Sequence, residues 1–295
     1  MNWLVGVDAD PDSRGAIRFG RWLHDVGDQV HAIHAVGRAT AGFDNRPGPG
    51  ADLREDADEV RRFLADHGAA EAFDGVGTVV GRPDRVFASL LDERDFDALI
   101  VGRAAAVDES AFVRLGPVVR RSLRKIERPV LVAPPGLRSG DFGRGPVLVA
   151  FRPDPDCLAA IAFGRRIGEH FGVDVRLAHV PDGTRRAAAM GAITVDSRDP
   201  SMSRRDIVPE PDVDLVRAEL ERWAREHDVG DLPLELWRGP RVPGLLHAAR
   251  SCRATVLVCG RGDRPWWARW RRSTSRDLAA FTDRPLAIVA ARQAN

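Results

Sequence analysis

The chain predicts an α/β architecture: two tandem doubly wound units, each built on a five-stranded parallel sheet, joined as an internal pseudo-dimer. Three observations predict it. A long internal repeat runs through the chain, short apolar runs alternate with amphipathic stretches, and a Gly- and Pro-rich segment separates the two copies.

The repeat organises everything else. Residues 3–22 (WLVGVDADPDSRGAIRFGRW) and 147–166 (VLVAFRPDPDCLAAIAFGRR) are identical at 10 of 20 positions without a gap. One inserted residue later His34 falls opposite His179, and farther on Gly81 matches Gly239 and Gly102 matches Gly260 at one constant offset. The order of elements is therefore shared, and the repeating unit is ~140–150 residues, close to the common domain size. The segment APPGLRSGDFGRGP (133–146) reads as a linker, so the expected division is 1–135, a linker at 136–146, and 147–295. A polar stretch at 182–209 reads as a mobile insertion in the second copy.

In the first copy, apolar runs at 3–7, 29–36, 76–80, 97–101 and 129–133 are short and β-rich, with few alternating polar positions. That is the pattern of strands buried on both faces. Amphipathic stretches at about 11–26, 52–67, 83–94 and 116–126 separate them and predict helices. Asp10 is placed to cap the first helix with Pro11 at its first position, and Asp154 and Pro155 repeat the arrangement. Five strands alternating with helices predict a parallel sheet covered on both sides. The last runs, PVLVAP and PLAIVA, are expected to pair the two copies and cover each other's edge.

Composition excludes several function classes. Lys and Arg number 44 against 43 Asp and Glu, a net charge of +1, which argues against a nucleic-acid partner. No apolar run approaches the ~20 residues of a membrane span. The N-terminus reaches an acidic turn within ten residues, unlike a signal peptide. Cys157, Cys252 and Cys259 are too few and too scattered for a disulfide framework or a Cys-rich zinc site, so a cytoplasmic location is expected.

Ligands of doubly wound sheets bind beyond the C-terminal strand ends where the winding reverses, here between strands one and four. That singles out Asp8, after the first strand, and the loop from Gly102 into the helix that begins near Gly116. Glycine lets backbone N–H groups approach a phosphate, and a helix N-terminus adds donors and partial positive charge. Strand ends also carry glycine for backbone reasons alone, and Asp8 can equally close the strand-to-helix turn. In the second copy, residues 261–276 hold six Arg and one Asp, with Trp266, Trp267 and Trp270 among them. Three readings stand: a helix whose Trp rings pack while Arg stems lie along the surface, a polyphosphate clamp, or a platform for single-stranded nucleic acid. His34 and His179 end buried strands and read as satisfied core histidines. No nucleophile elbow, P-loop or metal-ligand spacing occurs, so no metal site and no enzymatic activity are expected.

The runs DALIVGR…LGPVVRRSLRKIERPVLVAP (97–134) and ATVLVCGRG…RRSTSRDLAAFTDRPLAIVA (254–290) resemble the C-terminal half of a universal stress protein domain. The opening LVGVD, its capped helix and the strand ending in His34 fit the same family. The whole chain thus resembles a tandem, Rossmann-like universal stress protein whose two units stand in for the family's usual dimer. The resemblance implies a nucleotide site in each unit. An Asp after strand one lies beside the nucleotide, main chain after strand two meets the adenine, and a Gly-x2-Gly-x9-Gly-Ser/Thr loop holds the phosphates. The first copy keeps Asp8, Gly102 and Gly116, with Val118 beside them, but has Ala105 for the second Gly and Pro117 for the Ser/Thr. Proline supplies neither N–H nor hydroxyl there. The second copy has Arg152 for the Asp, keeps Gly260, and places Asp263 beside Gly262; Arg272 falls on the third Gly, while Ser273 and Ser275 keep the hydroxyls. Each site is half preserved. The resemblance therefore implies stress response by binding and association, with ATP, and Mg if bound, held weakly or vestigially. The alternatives are a competent ATP switch using the Arg-rich loop or a slow ATPase. Beyond the adenine nucleotide, the partners it implies are the second unit of the same chain and a second copy of the chain in a homodimer.

Overall fold

Ten of the apolar runs become strands: β1 (Asn2–Val7), β2 (Gln29–Val36), β3 (Gly75–Val80), β4 (Ala98–Gly102), β5 (Val130–Ala133), β6 (Val147–Ala150), β7 (Val175–His179), β8 (Leu234–Leu236), β9 (Val256–Gly260) and β10 (Leu286–Val289). The helices between them are α1 (Arg14–Asp25), α2 (Leu53–Asp66), α3 (Pro83–Glu93), α4 (Gly116–Lys125), α5 (Asp156–Phe171), α6 (Val213–Glu226), α7 (Arg241–Ser251) and α8 (Thr274–Phe281). This computed structural model describes residues 1–36, 53–69, 71–104, 115–181, 212–262 and 273–291. The polar stretch at 182–209, Trp266, Trp267, Trp270 and Arg272 lie outside the described residues.

The strands form one sheet in the order β3-β2-β1-β4-β5-β10-β9-β6-β7-β8. All neighbours are parallel except β5 and β10, which pair antiparallel with Val130 opposite Ile288 and Val132 opposite Leu286. Each run of five strands winds outward from its first and fourth strands, so the reversal of winding lies between β1 and β4 and again between β6 and β9. Alternation along β1 shows how the sheet is covered. Trp3, Val5 and Val7 face a core with Ile17 and Phe19 of α1, Leu64 of α2 and Ile161 of α5, whereas Leu4 faces one with Phe87 of α3, Val119 of α4, Leu245 of α7 and Leu278 of α8. Both apolar clusters run through the first and second halves without a break. Among the described residues no helix is long and apolar enough to cross a membrane.

Three local expectations are corrected. The first helix does not start at Pro11: Pro11–Ser13 form a 3-10 turn, with Asp10 accepting the Asp12 N–H at 2.8 Å, and α1 begins at Arg14. In the second half Asp154 caps from a greater distance along the chain, its Oδ1 accepting the Cys157 N–H at 3.2 Å, while α5 begins at Asp156. β3 is not buried on both faces, because it is an outer edge with one neighbour and its residues are half-buried or exposed. The Gly- and Pro-rich connection is also more than a tether. Leu137 and Phe142 within it are buried, Phe142 packs against Phe19 and Trp22, and Arg18 Nη1 donates to the Leu137 carbonyl at 2.7 Å.

Polar contacts stitch the halves where composition gives no hint. The fully buried Asp28 carboxylate accepts from Trp3 Nε1 at 2.7 Å and meets His170 Nε2 of α5 at 2.5 Å. Two arginines then cross in opposite directions. Arg103, the residue after β4, donates to the carbonyls of Ala280 and Thr282 at the end of α8, the latter at 2.8 Å. Arg261, just after β9, donates to the carbonyls of Leu123 and Ile126 at the end of α4, at 3.3 and 2.8 Å. Antiparallel pairing of β5 with β10 explains the reciprocity. The C-terminal strand ends of one half lie level with the N-terminal strand ends of the other, which is where its returning helices finish. Those last carbonyls lack intrahelical partners and carry the negative end of the helix dipole, so a cation suits them.

Arg103→Met should leave two buried carbonyls without their charged donor and cost about 2–4 kcal/mol in urea unfolding. Arg103→Lys should recover less than half of that, because one ammonium cannot reproduce the guanidinium fork. Equal stability of Arg103→Lys and the parent would show that charge alone matters there.

Candidate functional site

The two points of reversed winding are built alike but finished differently. In the first half, β1 ends at Val7 and the turn is closed by main chain, the Asp8 N–H donating to Ser13 Oγ at 2.9 Å. The Asp8 carboxylate takes no part in that closure; it stands 73% exposed, 3.7 Å from His34 Nδ1. His34 Nδ1 lies 3.0 Å from the Val7 carbonyl, which can only accept, so this nitrogen carries the proton. Gly102 is required by packing: a Cβ there would overlap the Asp12 carbonyl in the turn above β1. Gly116 opens α4 at a φ of +61°, a left-handed conformation that suits glycine. Val118 is half-buried and packs against the lower core, with Val119 fully within it.

The second half holds a cleft of about 830 Å³, counting its open mouth, over the ends of β6, β7 and β9. Its floor is Phe151, Cys157 and Cys259. Gly260, Gly262, Ser273 and Ser275 all line it. Gly260 repeats the packing role of Gly102, an added Cβ meeting the Asp156 carbonyl at 3.0 Å. Gly262 differs: its φ is +71° and, among the described residues, nothing comes within 4 Å of an added Cβ. Ser273 precedes α8 and does not cap it with its side chain; its Oγ lies 2.9 Å from Ser275 Oγ instead. Hydroxyls, a left-handed glycine and the first N–H groups of a helix form a surface that donates hydrogen bonds to an anion. Of the residues expected from the sequence to hold a nucleotide, the structure gathers these four in one cleft, together with Arg152 and His179. Asp8, Gly102, Gly116 and Val118 belong to the first half, and Arg272 lies outside the described residues.

Ionisation in the cleft follows burial. The Cys157 thiol is pushed up to about 11 and Cys259 is raised further, both chiefly by desolvation, so neither is a thiolate at neutral pH. Burial lowers His179, its Nδ1–H donates to the Phe151 carbonyl at 2.9 Å, and the nearby Arg241 cation lowers it further. The ring is therefore neutral at pH 7, with Nε2 as an acceptor. Among the described residues no group of three or more metal-type side chains converges. Sequence reasoning missed Arg241 and Leu245, which α7 delivers to the cleft wall. The repeat match of Gly81 with Gly239 was the available signal, since Arg241 follows that glycine by two residues.

Comparison with known proteins agrees with this geometry. Residues 1–134 match the model of the universal stress protein family. No curated protein matches the chain. Among solved structures, a universal stress protein from Archaeoglobus fulgidus DSM 4304 superposes with a TM-score of 0.63 at 14% identity, covering 98% of both chains. A functionally unknown protein from Pseudomonas aeruginosa PAO1 gives 0.59 at 14% identity, covering 98% of this chain and 92% of that one. A putative universal stress protein from Pseudomonas aeruginosa UCBPP-PA14 gives 0.57 at 13% identity, with 98% and 93% covered. At such identity the likeness is one of fold, and it extends over the full ten-stranded arrangement.

A histidine held neutral by the fold stabilises above its unfolded value, about 6.5, and that contribution is lost as pH falls through the lower folded value. Urea unfolding at pH 7.5 and 5.0 should show the parent losing more stability on acidification than His179→Gln. Identical losses would mean that His179 is not depressed.

Proposed function

We propose that this chain, whose residues 1–134 match the universal stress protein family, acts in the stress response by binding an adenine nucleotide, and that it binds it in the second-half cleft. The observation that carries the reading is the convergence of Gly260, Gly262, Ser273 and Ser275 on one cavity at a point of reversed winding. The phosphates would lie on the two hydroxyls, the main chain at Gly262 and the start of α8, with the base toward the ends of β6 and β7. ATP, with Mg where the phosphates require it, is the ligand we favour.

The first half carries the weaker counterpart. Pro117 offers no N–H at the start of α4, and Arg103 is turned away to hold α8. We read the chain as two units, 1–135 and 147–295, joined by 136–146 into a pseudo-dimer in the cytoplasm, and as a binding protein without catalysis. Protonated thiols and a neutral, already bonded His179 favour binding over chemistry at the cleft. The second reading is a scaffold whose pockets have both lapsed, favoured by the exchange of Asp for Arg152 after β6.

Calorimetry with Mg-ATP on the full chain separates the two. One site per chain, weakened at least tenfold in Ser275→Ala and unchanged in Asp8→Ala, is the expected result. Loss in Asp8→Ala would move the site to the first half, and no heat at millimolar ATP would leave the scaffold.

A further inference from the structure

The two halves place opposite charges at one equivalent point. The residue after β1 is Asp8, and its counterpart in the repeat, two residues past the end of β6, is Arg152. Phe151 follows β6 directly, as Val7 ends β1. Geometry fixes the equivalence: His34 Nδ1 lies 3.0 Å from the Val7 carbonyl and His179 Nδ1 lies 2.9 Å from the Phe151 carbonyl. Each histidine thus grips the peptide just before the residue in question. Arg152 lines the cleft.

A carboxylate there accepts hydrogen bonds from sugar hydroxyls and repels phosphate, whereas a guanidinium donates a fork of N–H groups that matches phosphate. The same reversal separates dinucleotide sites that take a bare ribose hydroxyl from those that take a ribose phosphate. A second cation reinforces it. Arg241, the first residue of α7, lines the same cleft beside His179. Two aspartates share this end. Asp154 pairs with Arg152 Nε through Oδ2 and caps the Cys157 N–H through Oδ1, which positions the guanidinium, and Asp156 begins α5. Arg261 also lines the cleft, but its guanidinium is committed to the end of α4.

Strand order sets the spacing. Gly260 ends β9, Arg152 follows β6, and His179 ends β7, and these strands are consecutive neighbours. The Gly262–Ser275 side and the Arg152–His179 side, where Arg241 also lines the cleft, are therefore separated by one to two strand spacings, roughly 5–10 Å. A single ribose bridges that span.

Building on the nucleotide reading above, we infer that the second-half cleft takes a nucleotide with two separated anionic groups: a 5′ phosphate on Gly262, Ser273 and Ser275, and a second phosphate on the ribose held by Arg152 and Arg241. The test is calorimetry of the full chain with AMP, ATP, adenosine 3′,5′-bisphosphate and adenosine 2′,5′-bisphosphate. At least one bisphosphate should bind tenfold or more tightly than AMP, and Arg152→Asp should abolish that preference while Arg152→Lys keeps part of it. If AMP and ATP bind as tightly as both bisphosphates, the second anion subsite is wrong and the nucleotide reading stands. If no nucleotide binds, both fall. A bisphosphate preference that survives Arg152→Asp overturns the assignment. Should Arg152→Asp not fold, Arg241→Gln gives the same comparison.

Discussion

The antiparallel pairing of β5 with β10 is the constraint on which the rest of the molecule depends. It merges two parallel half-sheets into one and removes an exposed edge from each. It also reverses the strand direction at the centre, which brings the strand tops of one half level with the helix ends of the other. Arg103 and Arg261 occupy that junction, each leaving a strand end in its own half to satisfy helix carbonyls in the other. Because the two halves point in opposite directions, their ligand-facing ends open at opposite edges of the sheet. Two such sites cannot merge, and each is free to diverge.

Divergence is what the side chains record. The frame at the two points of reversed winding is the same: a histidine on the carbonyl at the strand end, a glycine that admits the turn above it, an aspartate that accepts an N–H from the turn leading into the helix. The groups that would meet a ligand are not the same. One half shows an exposed Asp8, while the other shows Arg152, two serine hydroxyls and a left-handed Gly262. The glycine at 102 carries no information about ligand, because steric contact with the turn above already demands it. At Gly262 no described residue crowds an added Cβ, and the left-handed conformation is what favours glycine.

Much was legible in the linear chain. Strand and helix periods are local, so the runs at 29–36 and 116–126 marked β2 and α4 almost to the residue, and the repeat located equivalent positions before any geometry was known. The 3-10 turn at Pro11–Ser13 was not legible, because a backbone bond from the Ser13 N–H to the Asp10 carbonyl three residues back, at 2.9 Å, makes it, and the cap and proline signals are the same for either kind of turn. Burial of Leu137 and Phe142 was hidden by their Gly- and Pro-rich surroundings.

The sequence by itself determined the fold class, the duplication, the order of strands and helices, and the candidate residues at the strand ends. Hydrophobic period and capping chemistry act over a few residues and survive without the rest of the chain. Only the tertiary structure decided which of those residues meet: that Arg103 and Arg261 are braces between halves, that α7 supplies Arg241, and that Gly260, Gly262, Ser273 and Ser275 share one cleft. Those encounters join groups separated by long stretches of chain. Only the docking of one sheet edge on another brings them together, and no local pattern encodes it.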